Sequence, residues 1–119
     1  MSDKRALIRG QAKRLFSEQG FKETSIAAIA GAARIAVGSV YSYYPSKEHL
    51  FLEIFLEENA SLKQACLASV DRTREPKEVV ADLLSRMSRD FMENPILRQW
   101  YDPRVYAKLE RVYREEKGQ

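Results

Sequence analysis

The chain has 119 residues, 20 Lys+Arg against 17 Asp+Glu, and 45% hydrophobic residues spread without a long apolar run. Those values fit one folded domain and exclude a disordered tail, because nearly cancelling charge and ample apolar content allow a core to form. A single Cys66 excludes an internal disulfide framework or a cysteine-based zinc cluster and favours a reducing, cytoplasmic setting. The opening MSDKRALIRGQAKRLF lacks the apolar core of a signal peptide, and no stretch approaches the roughly 18 apolar residues of a membrane span.

Taken in chain order, Ile8, Ala12, Leu15 and Phe16 recur at helical spacing among Lys4, Arg5, Arg9, Lys13 and Arg14, until Gly20 stops the pattern. Thr24 or Ser25 can cap a second helix with an inward face of Ile26, Ile29, Ala30 and Ala33. After a turn over Ala33, Arg34, Ile35 and Ala36, a third short helix runs from Val37 to Tyr44, where Pro45 blocks continuation. Ser46 caps a long fourth helix from Lys47 to Val70 carrying Leu50, Phe51, Ile54, Phe55, Leu62, Ala65 and Val70. Its sequon Asn59-Ala60-Ser61 lies mid-helix and is set aside as a glycosylation site.

Pro76 suits the first turn of a fifth helix with Val80, Leu83, Leu84, Met87 and Phe91 on one face, ended by Asn94-Pro95. A short segment from Ile96 to Tyr101 leads to Asp102-Pro103 and a last helix with Val105, Leu109 and Val112. The expected fold class is all-α. The division is a helix-turn-helix head over residues 1–47, joined by the long fourth helix to a small helical body over residues 48–119.

Residues 1–50 hold eight Lys+Arg and four Asp+Glu, against 12 and 13 in residues 51–119. A basic first half points to a polyanion as its partner and a near-neutral remainder to protein packing. Two short helices joined by a tight turn match a helix-turn-helix, whose second member enters the major groove.

The stretch TSIAAIAGAARIAVGSVYSYYPSKEHLF, Thr24 to Phe51, with Gly20-Phe21 before it, closely resembles the DNA-binding domain of TetR-family transcriptional regulators. The resemblance implies a three-helix head, a connecting fourth helix, and a helical body that binds a small ligand and pairs two subunits. By that analogy Val37 to Tyr44 is the recognition helix. Thr24 matches a phosphate-contacting hydroxyl, Ser39 and Tyr43 match backbone-contacting positions, and Lys47 matches a lysine opening the fourth helix. Lysine suits that place, since an ammonium and free backbone donors together attract a phosphate oxygen.

Val37, Gly38 and Tyr41 match positions facing base edges, where an apolar side chain can touch a thymine methyl and glycine permits close approach. Tyr44 matches a buried aromatic. Two departures stand out: Arg34 replaces a turn glycine, with a guanidinium that could reach phosphate, and Ala36 replaces a capping serine. Met87, Phe91 and Trp100 are candidates to line a pocket for a small apolar or aromatic effector, against the plainer reading that they are core.

These features predict a cytoplasmic repressor that binds a palindromic operator as a homodimer, without membrane, cofactor or metal. His49 stands without a second His or Cys nearby and is expected to face solvent, and no phosphate loop, HExxH or nucleophile motif marks an enzyme. The competing reading, motivated by Ala36 and by a chain shorter than is usual in the family, is a helical interaction protein that pairs with other subunits without binding an operator.

Overall fold

The computed structural model describes residues 3–118, and among these it contains helices and no strand. In order they are α1 (Asp3–Gln19), α2 (Ile26–Ala33), α3 (Val37–Tyr43), α4 (Lys47–Ala68), α5 (Pro76–Glu93), a 3-10 turn (Leu97–Tyr101) and α6 (Pro103–Lys117). The ends follow local chemistry. Gly20, at φ 95°, stops α1 while its N–H still reaches Phe16 O at 3.0 Å. Ser25, Ser46 and Asp102 accept from the backbone N–H groups of Ala28, His49 and Arg104 at 3.0, 3.2 and 3.0 Å, satisfying donors that a helix start leaves unpaired.

Small differences from the sequence reading have equally local causes. The cap of α2 is Ser25, not Thr24. α3 ends one residue early because Tyr44 is extended before Pro45, and α4 ends at Ala68 with Ser69 as its cap.

The core forms where α1, α2, α3 and the first half of α4 meet. Phe51 sits edge-on to Phe16 and Phe21, with ring centroids 5.0 and 5.2 Å apart, and all three side chains are buried. A second aromatic group continues from it: Phe55 stacks on Trp100 at 5.2 Å, and Trp100 meets Tyr106 edge-on at 4.6 Å. The buried cluster therefore runs without a break from Ile8 to Val112, across the boundary expected between residues 47 and 48.

Gln99 makes the polar part of that junction. Its side-chain oxygen accepts from Phe21 N–H at 2.8 Å, and its amide nitrogen donates to Phe16 O at 3.1 Å and Pro95 O at 2.8 Å. The 3-10 turn is thereby pinned to the end of α1.

The basic face of α1 behaves differently from the sequence expectation. Arg5 pairs with Glu53, Arg9 lies 3.3 Å from Glu57, and Lys13 lies 2.8 Å from Glu58. These cations are matched by a carboxylate row on α4, so the positive excess of the first half is largely neutralised inside the molecule.

The fifth helix also departs from expectation. Its apolar stripe predicts an inward face, yet α5 buries no residue, and Val80 and Leu84 are 53% and 63% exposed. The helix packs on α4 and the 3-10 turn along one edge of the stripe, leaving the other edge in solvent.

Candidate nucleic-acid interface

α2 and α3 cross at 102°, within the range of about 90–120° that defines a helix-turn-helix. The turn depends on Arg34, which adopts the left-handed conformation at φ 59° and ψ 43°. That conformation lets Ile35 N–H return to Ala30 O at 3.0 Å and Arg34 N–H to Gly31 O at 3.2 Å, closing α2 and redirecting the chain. A non-glycine residue held there costs roughly 1–2 kcal/mol. Ala36 then starts α3 without a side-chain cap.

α3 has two distinct sides. Val40 is wholly buried and anchors the helix to the core, followed by buried Tyr44 at its end. On the opposite side Val37 and Tyr41 are 42% and 50% exposed, and a side chain added at Gly38 would meet no atom within 4 Å. Val37, Gly38 and Tyr41 thus share one open face, as required of a helix that lies in a groove.

That face continues into a broad concavity of about 480 Å³, whose lining includes Lys22, Ser25, Ala27, Val37, Tyr41 and Lys47. Lys47 donates from Nζ to Phe21 O at 2.8 Å, and its ammonium lies 4.3 Å above the Phe21 ring. An ammonium carries three donors, so two remain for an anion. Partial burial lowers the Lys47 pKa; Glu48 and Glu23 act in the opposite sense, and Lys108 adds to the lowering.

Thr24 requires a correction. Its hydroxyl is 1% exposed and points inward, donating to Gly20 O at 2.8 Å and lying 3.2 Å from Leu15 O. It fastens the α1–α2 turn and does not present a hydroxyl to a phosphate. Arg34 is exposed, whereas Ser39 is half-buried. Tyr43 is half-buried against the core and lines a separate cleft with Arg5, Tyr44, His49 and Glu53.

His49 is a second correction. It does not simply face solvent: Nδ1 lies 2.7 Å from Ser46 Oγ, and Nε2 lies 3.6 Å from Glu116 near the end of α6. Beneath it, Glu53 accepts from both Tyr44 and Arg5. Burial would push the Glu53 carboxyl up, but these two hydrogen bonds and the charges of Arg5 and Arg9 outweigh it and hold the group below its ordinary value.

The effector candidates separate. Phe91 and Trp100 line a cleft of about 320 Å³ together with Leu52, Phe55, Leu109 and Tyr113, whereas Met87 does not reach it. Met87 lies a full turn earlier on α5 and is half-buried there.

The sequence pattern misses two cations. Lys22 lies in the α1–α2 turn, where no periodicity marks a face, and Lys108 belongs to α6 yet reaches within 5.7 Å of the Phe21 ring centroid. Among the described residues no group of three or more His, Cys, Asp or Glu is placed to hold a metal, and no single helix is long and apolar enough to cross a membrane.

A perpendicular pair of short helices, braced by α1 and carrying one exposed face, is a helix-turn-helix head. Residues 8–54, which make up this head, match the family model for bacterial regulatory proteins of the tetR family. It is 41% identical over 54 residues to the uncharacterized HTH-type transcriptional regulator YuxN of Bacillus subtilis, a match covering 45% of this chain and 19% of that protein. It is 29% identical over 85 residues to the HTH-type transcriptional repressor KstR of Rhodococcus jostii, covering 71% and 39%. A tetR-family transcription regulator of Shewanella sp. PV-4 has a similar solved structure, with 30% identity and a TM-score of 0.68 over 97% of this chain and 64% of that one. The chain thus spans well under half the length of both curated relatives.

Proposed function

We propose that this chain is a sequence-specific DNA-binding transcriptional regulator, acting as a cytoplasmic repressor, with α3 as its recognition helix. The observation that carries the reading is the open face of Val37, Gly38 and Tyr41 on a helix anchored from behind by Val40 and set at 102° to α2. Val37, Gly38 and Tyr41 face base edges; Lys47 and Lys22 flank them and hold backbone phosphates, with Arg34, Ser39 and Tyr43 as further backbone contacts. Thr24 contributes by shaping the turn.

Residues 1–47 serve as the reading head and residues 48–119 as the body. Two copies of the chain place their heads on successive major-groove faces of a palindromic operator, about 34 Å apart. A small apolar or aromatic effector, seated between Phe55, Phe91 and Trp100, releases the DNA by shifting α6 and the 3-10 turn that Gln99 pins to the head.

Gel-shift titration against genomic fragments flanking the coding region, at two salt concentrations, tests this. One preferred fragment is expected; no preference at any salt would favour the reading as an interaction protein. Lys47→Ala should weaken binding to all sequences and flatten the salt slope by about 1, whereas Tyr41→Ala should change which fragment is preferred. Equal, sequence-blind losses from both would refute the assigned roles.

A further inference from the structure

The lysines around Phe21 differ from four basic residues of α1. Arg5, Arg9, Lys13 and Arg14 all have carboxylate partners within 4 Å. Among the described residues, no such ion pair involves Lys22, Lys47 or Lys108. The ammonium groups of Lys47 and Lys108 lie 4.3 and 5.7 Å from the centroid of the same ring, and Lys22 is the residue next to that ring in the chain.

Glu48 and Glu23 act favourably on Lys47, and Lys22 on Asp102, but none of these acids makes a direct ion pair with the three lysines. Asp102 is taken up by capping α6 and by Arg104, 3.4 Å away, while Glu23 and Glu48 remain beyond ion-pair distance of the three lysines. Lys47 and Lys108, set over one ring, act unfavourably on each other, and a polyanion bound beside them relieves that repulsion.

Resting on the DNA-binding reading above, we propose that Lys108 of α6 joins Lys22 and Lys47 in holding the DNA backbone, so that the body itself grips a phosphate beside the head. Lys47 and Lys22 line the concavity that continues from the face of α3, and Lys108 extends the same cationic strip onto α6. The strip crosses the seam between head and body at Phe21, where Gln99 already ties the two.

The test is the salt dependence of binding of the full chain to a labelled duplex of roughly 24 base pairs, long enough to span two helical turns. Each phosphate that the protein no longer neutralises should flatten the plot of log affinity against log salt by about 0.9. Lys108→Gln should flatten it by about that amount, Lys108→Arg should restore the wild-type slope, and Lys63→Gln on the exposed side of α4 should leave it unchanged. Duplex should also protect Lys108 from amine acetylation in the unmutated chain. A wild-type slope in Lys108→Gln, with no protection of Lys108, overturns the inference while leaving the head's role intact if Lys47→Ala still flattens the plot. A chain that binds no duplex at any salt overturns both.

Discussion

The first half of α4 buries Leu50, Phe51, Leu52, Ile54 and Phe55, whereas in its second half Cys66 is the buried residue, and α5, packed against α4, buries none. Both stretches are apolar on one side at helical spacing. The first meets α1, α6, the 3-10 turn and, through Phe91 on Phe55, the end of α5, while in the second Cys66 lies against Asp90 of α5. An amphipathic stripe records which side of a helix avoids water; how much of it is covered depends on what the rest of the chain brings there. The head should therefore hold most of the stability, and the distal α4–α5 arm should open most readily.

The comparison breaks most sharply at Phe51. Phe51→Ala removes the ring shared by Phe16 and Phe21 and should cost about 3–5 kcal/mol in urea unfolding, enough to unfold a domain of ordinary stability. Leu84→Ala, on the exposed edge of α5, should cost less than about 0.5 kcal/mol. Similar losses at the two sites would mean that α5 is covered in solution.

A middle-sized effect belongs to the ion pairs between α1 and α4. Because its folded pKa is held low, Glu53 contributes stability that is complete above the unfolded carboxylate value of about 4.3 and is lost as pH falls through the lower folded value. Glu53→Gln should lower stability at neutral pH by about 1 kcal/mol and make the acid side of the stability curve shallower. Glu58 shows the same direction: burial acts upward, but hydrogen bonds from Lys13 and Asn94 prevail, so part of the acid sensitivity should persist. An unchanged acid profile in Glu53→Gln, followed by chemical unfolding across pH, would count against the network.

The smallest change sharpens the picture of the turn. Arg34→Gly should remove left-handed strain but add freedom to the unfolded chain, for a net gain of about 0.5–1 kcal/mol in thermal unfolding. If Arg34 also meets phosphate, the same variant should bind DNA less tightly while being more stable. A loss of stability would show that the guanidinium itself holds the turn.

Much of the head is legible in the sequence because its signals are local. Ser46, Asp102, Pro76 and Pro103 mark helix starts through backbone donors only a few residues away, and Gly20 ends α1 through its own φ. The outward set Val37, Gly38 and Tyr41 can be read beside inward Val40 because a helix repeats every 3.6 residues. Thr24 misleads for the opposite reason. A hydroxyl beside a helix start can cap, meet a ligand or turn inward, and only the approach of Leu15 O and Gly20 O selects the third.

Charge is the least legible property. A count of Lys and Arg in the first half suggests a basic surface, but the pairing of Arg5, Arg9 and Lys13 with Glu53, Glu57 and Glu58 depends on α1 and α4 lying side by side. Lys108 lies far along the chain from Phe21 and shares no pattern with it.

Sequence alone determined the order of helices, the starts of α4, α5 and α6, and the outward set on α3, since each follows from interactions within a few residues. Tertiary structure decided which cations pair with carboxylates, that Met87 falls outside the aromatic cleft, and that one edge of α5 meets water. Those outcomes depend on distances between segments remote in the chain, which helical periodicity does not encode.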